Sequence, residues 1–226
     1  MTLIAEDLLL LLLDDGSGKP VVDSTKLPRV LAGAVVLELA MDGTVFVAGD
    51  NESTKKGRLA VTPGRIPSDQ LLARAVDTIE TAKRPMTPKS AVEKLHKGIR
   101  EQVVARVIDR GFVGEERGRV LGLFPTTSWP ARDSSHEDRV RATLSSVLVD
   151  GLDPDARTCA LVALLSAIDA THKVLPDADK RSIRNRAKDI AQGDWAGEAV
   201  RKAVQDVYTA VTVAVMVPVM ASTSGS

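Results

Sequence analysis

The sequence predicts a mainly α fold, a single globular helical domain over residues 1–221 with one or two small β-hairpins and a short polar tail at 222–226. Apolar residues recur three and four apart through 71–82, 91–108, 140–149, 156–170 and 199–217, the period of helices that bury one side. Hydrophobic residues make up 44% of the 226, enough to fill one sizeable core. Only two stretches alternate over a few residues between turn signals, so sheet is confined to hairpins.

The chain opens on Leu3-Ile-Ala-Glu-Asp7 and six consecutive leucines, Leu8 to Leu13. That run is far short of the roughly 20 apolar residues a membrane span needs. Glu6 and Asp7 stand where a secretory leader carries positive charge, so export is not expected. A second helix is expected through Leu31-Ala-Gly-Ala-Val-Val-Leu-Glu-Leu-Ala40. Residues 44–48 and 58–61 then flank Gly49-Asp-Asn-Glu-Ser53, with Pro63-Gly64 closing the second run, which reads as a hairpin. A second hairpin is expected between Phe112-Val113 and Val120-Leu-Gly-Leu-Phe124, turning through Gly114-Glu-Glu-Arg-Gly118.

Pro125 and Pro130 mark a connector, and Ser134-Ser-His-Glu137 has the spacing of a capping box opening a helix. Further starts are signalled by Asp153-Pro154 and by Pro176-Asp-Ala-Asp179. Leu161, Leu164, Leu165 and Ile168 form the stripe expected at the centre of the core. The closing apolar stretch, 207–221, is fifteen residues interrupted by Pro218 and reads as a buried terminal helix, with 222–226 frayed.

Thirty basic and thirty acidic residues cancel, so no global field holds this chain on nucleic acid or an anionic bilayer, and any anion site is local. Nucleic-acid binding is not expected, since Glu115 and Glu116 occupy the tip of the only winged-helix-like segment. The single Cys159 lies in an apolar run, which fits a reducing cytoplasm. His96, His136 and His172 lack metal-ligand spacing to any Cys, Asp or Glu, so no metal is expected. Gly16-Ser-Gly-Lys19 is followed by Pro20 and Val21 and is not a phosphate loop. No Gly-x-Ser-x-Gly elbow occurs and Cys159 has no evident base, so an enzyme is not expected, and no cofactor.

The cations Lys97, Arg100, Arg106, Arg110, Arg117 and Arg119 outnumber Glu101, Asp109, Glu115 and Glu116 over one helix and its hairpin. A phosphomonoester with charge near −2 is held by converging Arg or Lys groups, and the i, i+3 spacing of Lys97 and Arg100 puts both on one helix face. From spacing alone, ordinary solvated helix charges remain the alternative.

The leucine helix, the helix ending Glu38-Leu-Ala40, Asp42-Gly43 before a strand, the block 99–112 and the helix 161–170 occur in an order that resembles the Golgi phosphoprotein three family over nearly the whole chain. The resemblance implies a mainly helical domain whose hairpin lies beside a positive pocket, where an aromatic residue and several arginines receive phosphatidylinositol 4-phosphate. The family's Arg-x-x-Arg leading into Glu corresponds to Lys97-Gly-Ile-Arg100 and Glu101, which carries over Arg100 cleanly and Lys97 without the bidentate fork. The family's loop tryptophan falls near Asp23 and its helix arginine on Ala32, two departures for which Arg29 and Lys26 are the expected substitutes.

The function so implied is non-catalytic binding of an anionic phospholipid headgroup, phosphatidylinositol 4-phosphate or similar, by a cytoplasmic protein that associates reversibly with membranes. In the family the hairpin faces the membrane and takes part in self-association, roles that would fall here on Val120, Leu121, Leu123 and Phe124 of the 112–124 hairpin. The alternative is a protein-interaction or regulatory module that kept the fold and lost the pocket. Ala-, Val- and Arg-rich composition with 3% aromatics suggests a bacterial member, and the family's basic N-terminal arm has no counterpart before the leucine helix, so Golgi trafficking is not carried over.

Overall fold

The computed structural model describes residues 1–50, 52–120, 124–193 and 198–221, with the backbone alone for 119–120, 124–125, 198–201 and 217–221. Ten helices and two two-stranded antiparallel sheets form among these residues, the mainly α architecture that the periodicity predicts.

The first helix, α1 (Ile4–Leu11), is buried on every side, charged residues included. A helix apolar all round belongs inside a core, and each leucine there is worth about 2 kcal/mol of burial. The chain then folds back on itself: Val21 N–H donates to the Leu12 carbonyl at 2.9 Å, and Asp14 and Asp23 hold the intervening loop by accepting backbone N–H groups of Ser17, Thr25 and Lys26. The second helix, α2 (Lys26–Met41), buries Leu27 and then all but one position from Val30 to Leu39.

β1 (Val45–Val47) and β2 (Leu59–Val61) form the first hairpin, in the register Val45 opposite Val61. α3 (Gln70–Glu80) turns the stripe Leu71, Leu72, Ala75, Val76 and Ile79 inward, and Asp69 caps it through the Leu71 and Leu72 N–H groups. α4 (Pro88–Leu95) begins with proline in its first turn and the Thr87 hydroxyl on the Ser90 N–H. The apolar period 91–108, which reads as one helix, is two, because Gly98 sits at φ 75° and ends the run before α5 (Ile99–Asp109). A left-handed residue cannot continue a right-handed helix, and only glycine adopts that angle without cost.

The second hairpin is displaced from its expected place. β3 (Glu116–Val120) pairs with β4 (Phe124–Ser128), Glu116 opposite Ser128 and Val120 opposite Phe124. The Gly114–Gly118 segment is therefore largely strand rather than turn, and residues 121–123 lie outside the described residues. A ribbon of two strands on the surface has room for polar side chains on both strands, so the charges of 115–119 are no turn signal here.

Four more helices follow: α6 (Ser135–Leu148), α7 (Ala156–Ala167), the one-turn α8 (Thr171–Val174) and α9 (Lys180–Gln192). The capping box expected at Ser134 is not made. Asp133 accepts the Ser135 N–H instead, and Glu137 is drawn to Arg141 one turn on. Asp155 and Asp179 cap α7 and α9 by accepting the Thr158 and Ser182 N–H groups. The long α10 (Glu198–Ala221) packs along α2, α4 and α7.

One hydrophobic cluster runs from Leu3 to Val215 and contains Leu161, Leu164, Leu165 and Ile168 as expected. Two helices lie deepest in it: α2, which touches α1, α3, α4, α5, α7 and α10, and α7, which touches α1, α2, α6, α8, α9 and α10. Among the described residues no helix is long and apolar enough to cross a membrane.

Candidate functional site

The buried acids of α1 set which cations remain free. Glu6 accepts the Nε–H groups of Arg106 at 3.0 Å and Arg110 at 2.8 Å, and its other oxygen takes the Leu3 N–H at 2.6 Å. Arg106 also makes a 2.6 Å bond to Asp69, the cap of α3. Asp7 accepts from Arg157 at 2.7 Å and lies 2.7 Å from Nε2 of His136, whose ring stacks on Phe112. Arg106 and Arg110 thus lock α1, α3 and α5 together, and two of the six cations that the sequence groups on this segment are occupied by buried acids.

Arg100, the second residue of α5, behaves differently. Its guanidinium carbon lies 4.8 Å from the centre of the Trp129 ring, and among the described residues no carboxylate pairs with it. Stacking on an indole holds a guanidinium by about 0.5–2 kcal/mol while leaving its N–H edge open to an anion. Trp129 is itself anchored, its backbone N–H donating to the Gly18 carbonyl at 2.8 Å, and its indole Nε1 is buried with no hydrogen-bond partner.

Between α5 and the β3–β4 hairpin a cleft of about 580 Å³ is lined by Arg100, Glu101, Val104, Ala105, Ile108, Glu115, Arg117, Thr127 and Trp129. Arg117 pairs at 2.6 Å with Glu115 at the surface, a contact of little strength in water. The cleft balances two cations against two carboxylates. At its head, α5 starts from Gly98 with no side-chain cap, so the first N–H groups of that helix lack the usual acceptor.

The four cations assigned from sequence are distributed over different elements. Lys97 is exposed on the link between α4 and α5, so the shared-face argument fails, yet it and Arg100 bracket the uncapped start of α5. Arg29 is bound at 2.9 Å by Glu93 of α4 and donates to the Thr25 carbonyl. Lys26 lines a separate cleft with Ile168, His172 and Lys180. Leu121 and Leu123 lie outside the described residues, as do the side chains of Val120 and Phe124.

At the two departure positions, Ala32 is fully buried, and Asp23 is spent on the loop. Burial works against its charge, but the Thr25 hydroxyl and the N–H groups of Lys26 and Thr25 hold the Asp23 carboxyl below the usual carboxylate range. Sequence reasoning missed Trp129. It is one of only two tryptophans in a chain with 3% aromatics, and that scarcity next to Pro130 was the available signal. Burial pushes the Cys159 thiol far up, which leaves it a buried hydrophobe. Among the described residues no group of three or more His, Cys, Asp or Glu is placed to hold a metal.

Compared with known protein families, the chain matches the model described as Golgi phosphoprotein 3 (GPP34) over residues 4–207.

Proposed function

We propose a lipid-headgroup function on one premise: the chain belongs to the Golgi phosphoprotein 3 family, whose match spans most of its length and which is associated with phosphoinositide binding. The protein binds an anionic phospholipid headgroup of the inositol phosphate kind, reversibly and without catalysis, at the start of α5. The observation that carries this reading is the pair Lys97 and Arg100 around an uncapped helix N-terminus, with Arg100 held on Trp129 and free of any acid among the described residues.

A helix N-terminus offers unsatisfied N–H groups and the positive end of the backbone dipole, and two flanking cations add the charge that a phosphate of about −2 requires. The cleft continues from that point past Trp129. Glu101 and Glu115 on its walls are suited to accept hydroxyl hydrogens of a polyol ring, which explains why a pocket for a charged headgroup carries acids at all. The hairpin beside the cleft carries Leu121, Leu123 and Phe124 in sequence, apolar residues of the kind that insert shallowly into a bilayer or meet a second copy. Arg29, neutralised by Glu93, is left out of the site, as is Lys26, which faces another cleft.

Co-sedimentation with vesicles tests the assignment, comparing neutral, generic anionic and phosphatidylinositol 4-phosphate-containing liposomes at moderate salt. Wild type pellets with the last, and Arg100→Glu loses at least about tenfold in affinity, the worth of one charge-assisted pair. Equal binding by Arg100→Glu would show that the site lies elsewhere.

A second reading, a protein-interaction module, is favoured by Ala32 and Asp23, which supply neither the cation nor the aromatic ring that the resemblance implies there. Indifference of the wild type to all three vesicle types would select it.

A further inference from the structure

The cleft that holds Lys26 lies between the start of α2, the α7–α8 turn and the start of α9, and measures about 260 Å³. That is below the roughly 300–1,000 Å³ typical of sites for drug-sized ligands and suits a small ion with some of its water. Three lysines from three elements line it: Lys26, Lys173 and Lys180. Lys26 and Lys173 are positioned by neutral acceptors, the carbonyls of Ile168 at 3.4 Å and Val21 at 2.5 Å, which fix the ammonium groups without cancelling their charge.

Asp23 and Asp169 also line the cleft, but both carboxylates have other partners, as does Asp179 beside it. Asp23 is tied to Thr25 and the Lys26 N–H, Asp169 takes Arg184 at 2.8 Å, and Asp179 caps the Ser182 N–H. His172 also lines the cleft, and its Nδ1 is buried with no hydrogen-bond partner, 4.0 Å from the nearest oxygen of Asp169. Burial holds the imidazole below its ordinary range, and Lys180, Lys173 and Arg184 act in the same direction, with Asp169 alone opposing. Beyond burial, the three cations outnumber the one acid around this imidazole, which is consistent with a locally positive cleft.

We propose that this cleft is a second anion site, separate from the Arg100 cleft, binding a phosphate-class dianion through Lys26, Lys173 and Lys180 with His172 as an additional donor. The ligand brings two negative charges to ammonium groups already held in place, which is the geometry that keeps the cost of organising a site low. A dianion there also favours the protonated form of the His172 ring that lines the same cleft.

Proton NMR of the His172 imidazole, identified by its loss in His172→Gln, reads the site directly. Inorganic phosphate is titrated in at ionic strength matched with sodium chloride. The expected result is a saturable rise of the His172 titration midpoint by about half a pH unit or more. Lys180→Ala weakens phosphate binding by about fivefold or more. The Lys180 side chain is exposed, so the fold is expected to survive, and circular dichroism checks this. Lys26→Ala is the second variant.

No saturable shift, the same shift with chloride alone, or unchanged affinity in folded Lys180→Ala and Lys26→Ala would each overturn the proposal. Arg100→Glu leaves the phosphate response intact, so this test and the headgroup test fail independently. The same Arg100→Glu protein offered phosphatidic acid vesicles distinguishes the source of the phosphate. Pelleting that Lys180→Ala abolishes identifies a lipid, and a phosphate response without pelleting identifies a soluble ion.

Discussion

A carboxylate moved out of water costs several kcal/mol unless its charge is met, and this chain buries Glu6, Asp7 and Glu137. The first two are met by arginines and a histidine from distant elements. Glu137 is met less well: burial outweighs the Arg141 guanidinium beside it and pushes its carboxyl from 4.5 up to about 7. An acid whose folded pKa is raised keeps its proton longer in the folded state, so folding takes up a proton between those values. Stability is therefore highest below about pH 4.5 as far as this group is concerned and falls as pH rises to about 7, by at most about 3 kcal/mol. Thermal melts of Glu137→Gln between about pH 5 and pH 8 should show that component of the slope removed, since the amide still accepts from Arg141 and never ionises. A slope identical to wild type would mean that Glu137 is ionised throughout. Glu137 was legible in sequence only as a capping residue, because the arginine that claims it sits one turn on and local spacing does not rank the two partners.

At the scale of elements, close approach of helices explains several small residues. A Cβ on Gly33 of α2 would lie 2.4 Å from Cγ2 of Val211 on α10, so this glycine sets how near the two helices come. Gly33→Ala should cost about 1–3 kcal/mol from overpacking, against about 1 kcal/mol regained in helix propensity. Adding Val211→Ala should recover part of the loss, and urea unfolding of the three variants measures the coupling. An unchanged midpoint in Gly33→Ala would show that α10 shifts freely. Gly98 acts differently, through its positive φ, by separating α4 from α5 and creating the uncapped helix start on which the proposed headgroup site depends. Its neighbours Lys97 and Arg100 were legible as a pair, but the apolar period runs through the break, and periodicity alone does not register one left-handed residue.

For the whole molecule, a net formal charge of zero means that the proposed membrane attraction would come from a few local cations and carry no long-range pull. Raising salt from about 0.1 M to about 1 M shortens the screening length from about 10 Å to about 3 Å. Vesicle pelleting should then fall by at least about fivefold, while the urea midpoint changes little, because the ion pairs of Glu6 and Asp7 are buried and weakly screened. Salt-resistant pelleting would point instead to apolar insertion by the hairpin as the main anchor.

Period, composition and punctuation were enough for the mainly α class, both hairpin regions and most helix starts, because those features follow from contacts within a few residues. The order of elements also carried the family resemblance. Tertiary structure alone decided which charges are free. Arg100 and Arg106 are six residues apart on one helix, yet one stacks on Trp129 and the other is consumed by Glu6, 100 residues away in sequence, and Asp69, 37 residues away. Lys26 was likewise parted from Arg100 and set among Lys173 and Lys180 by the packing of α2 against the α7–α8 turn. Whether a cation binds a ligand or holds the fold depends on the acid it meets, and that meeting is a property of distance in space.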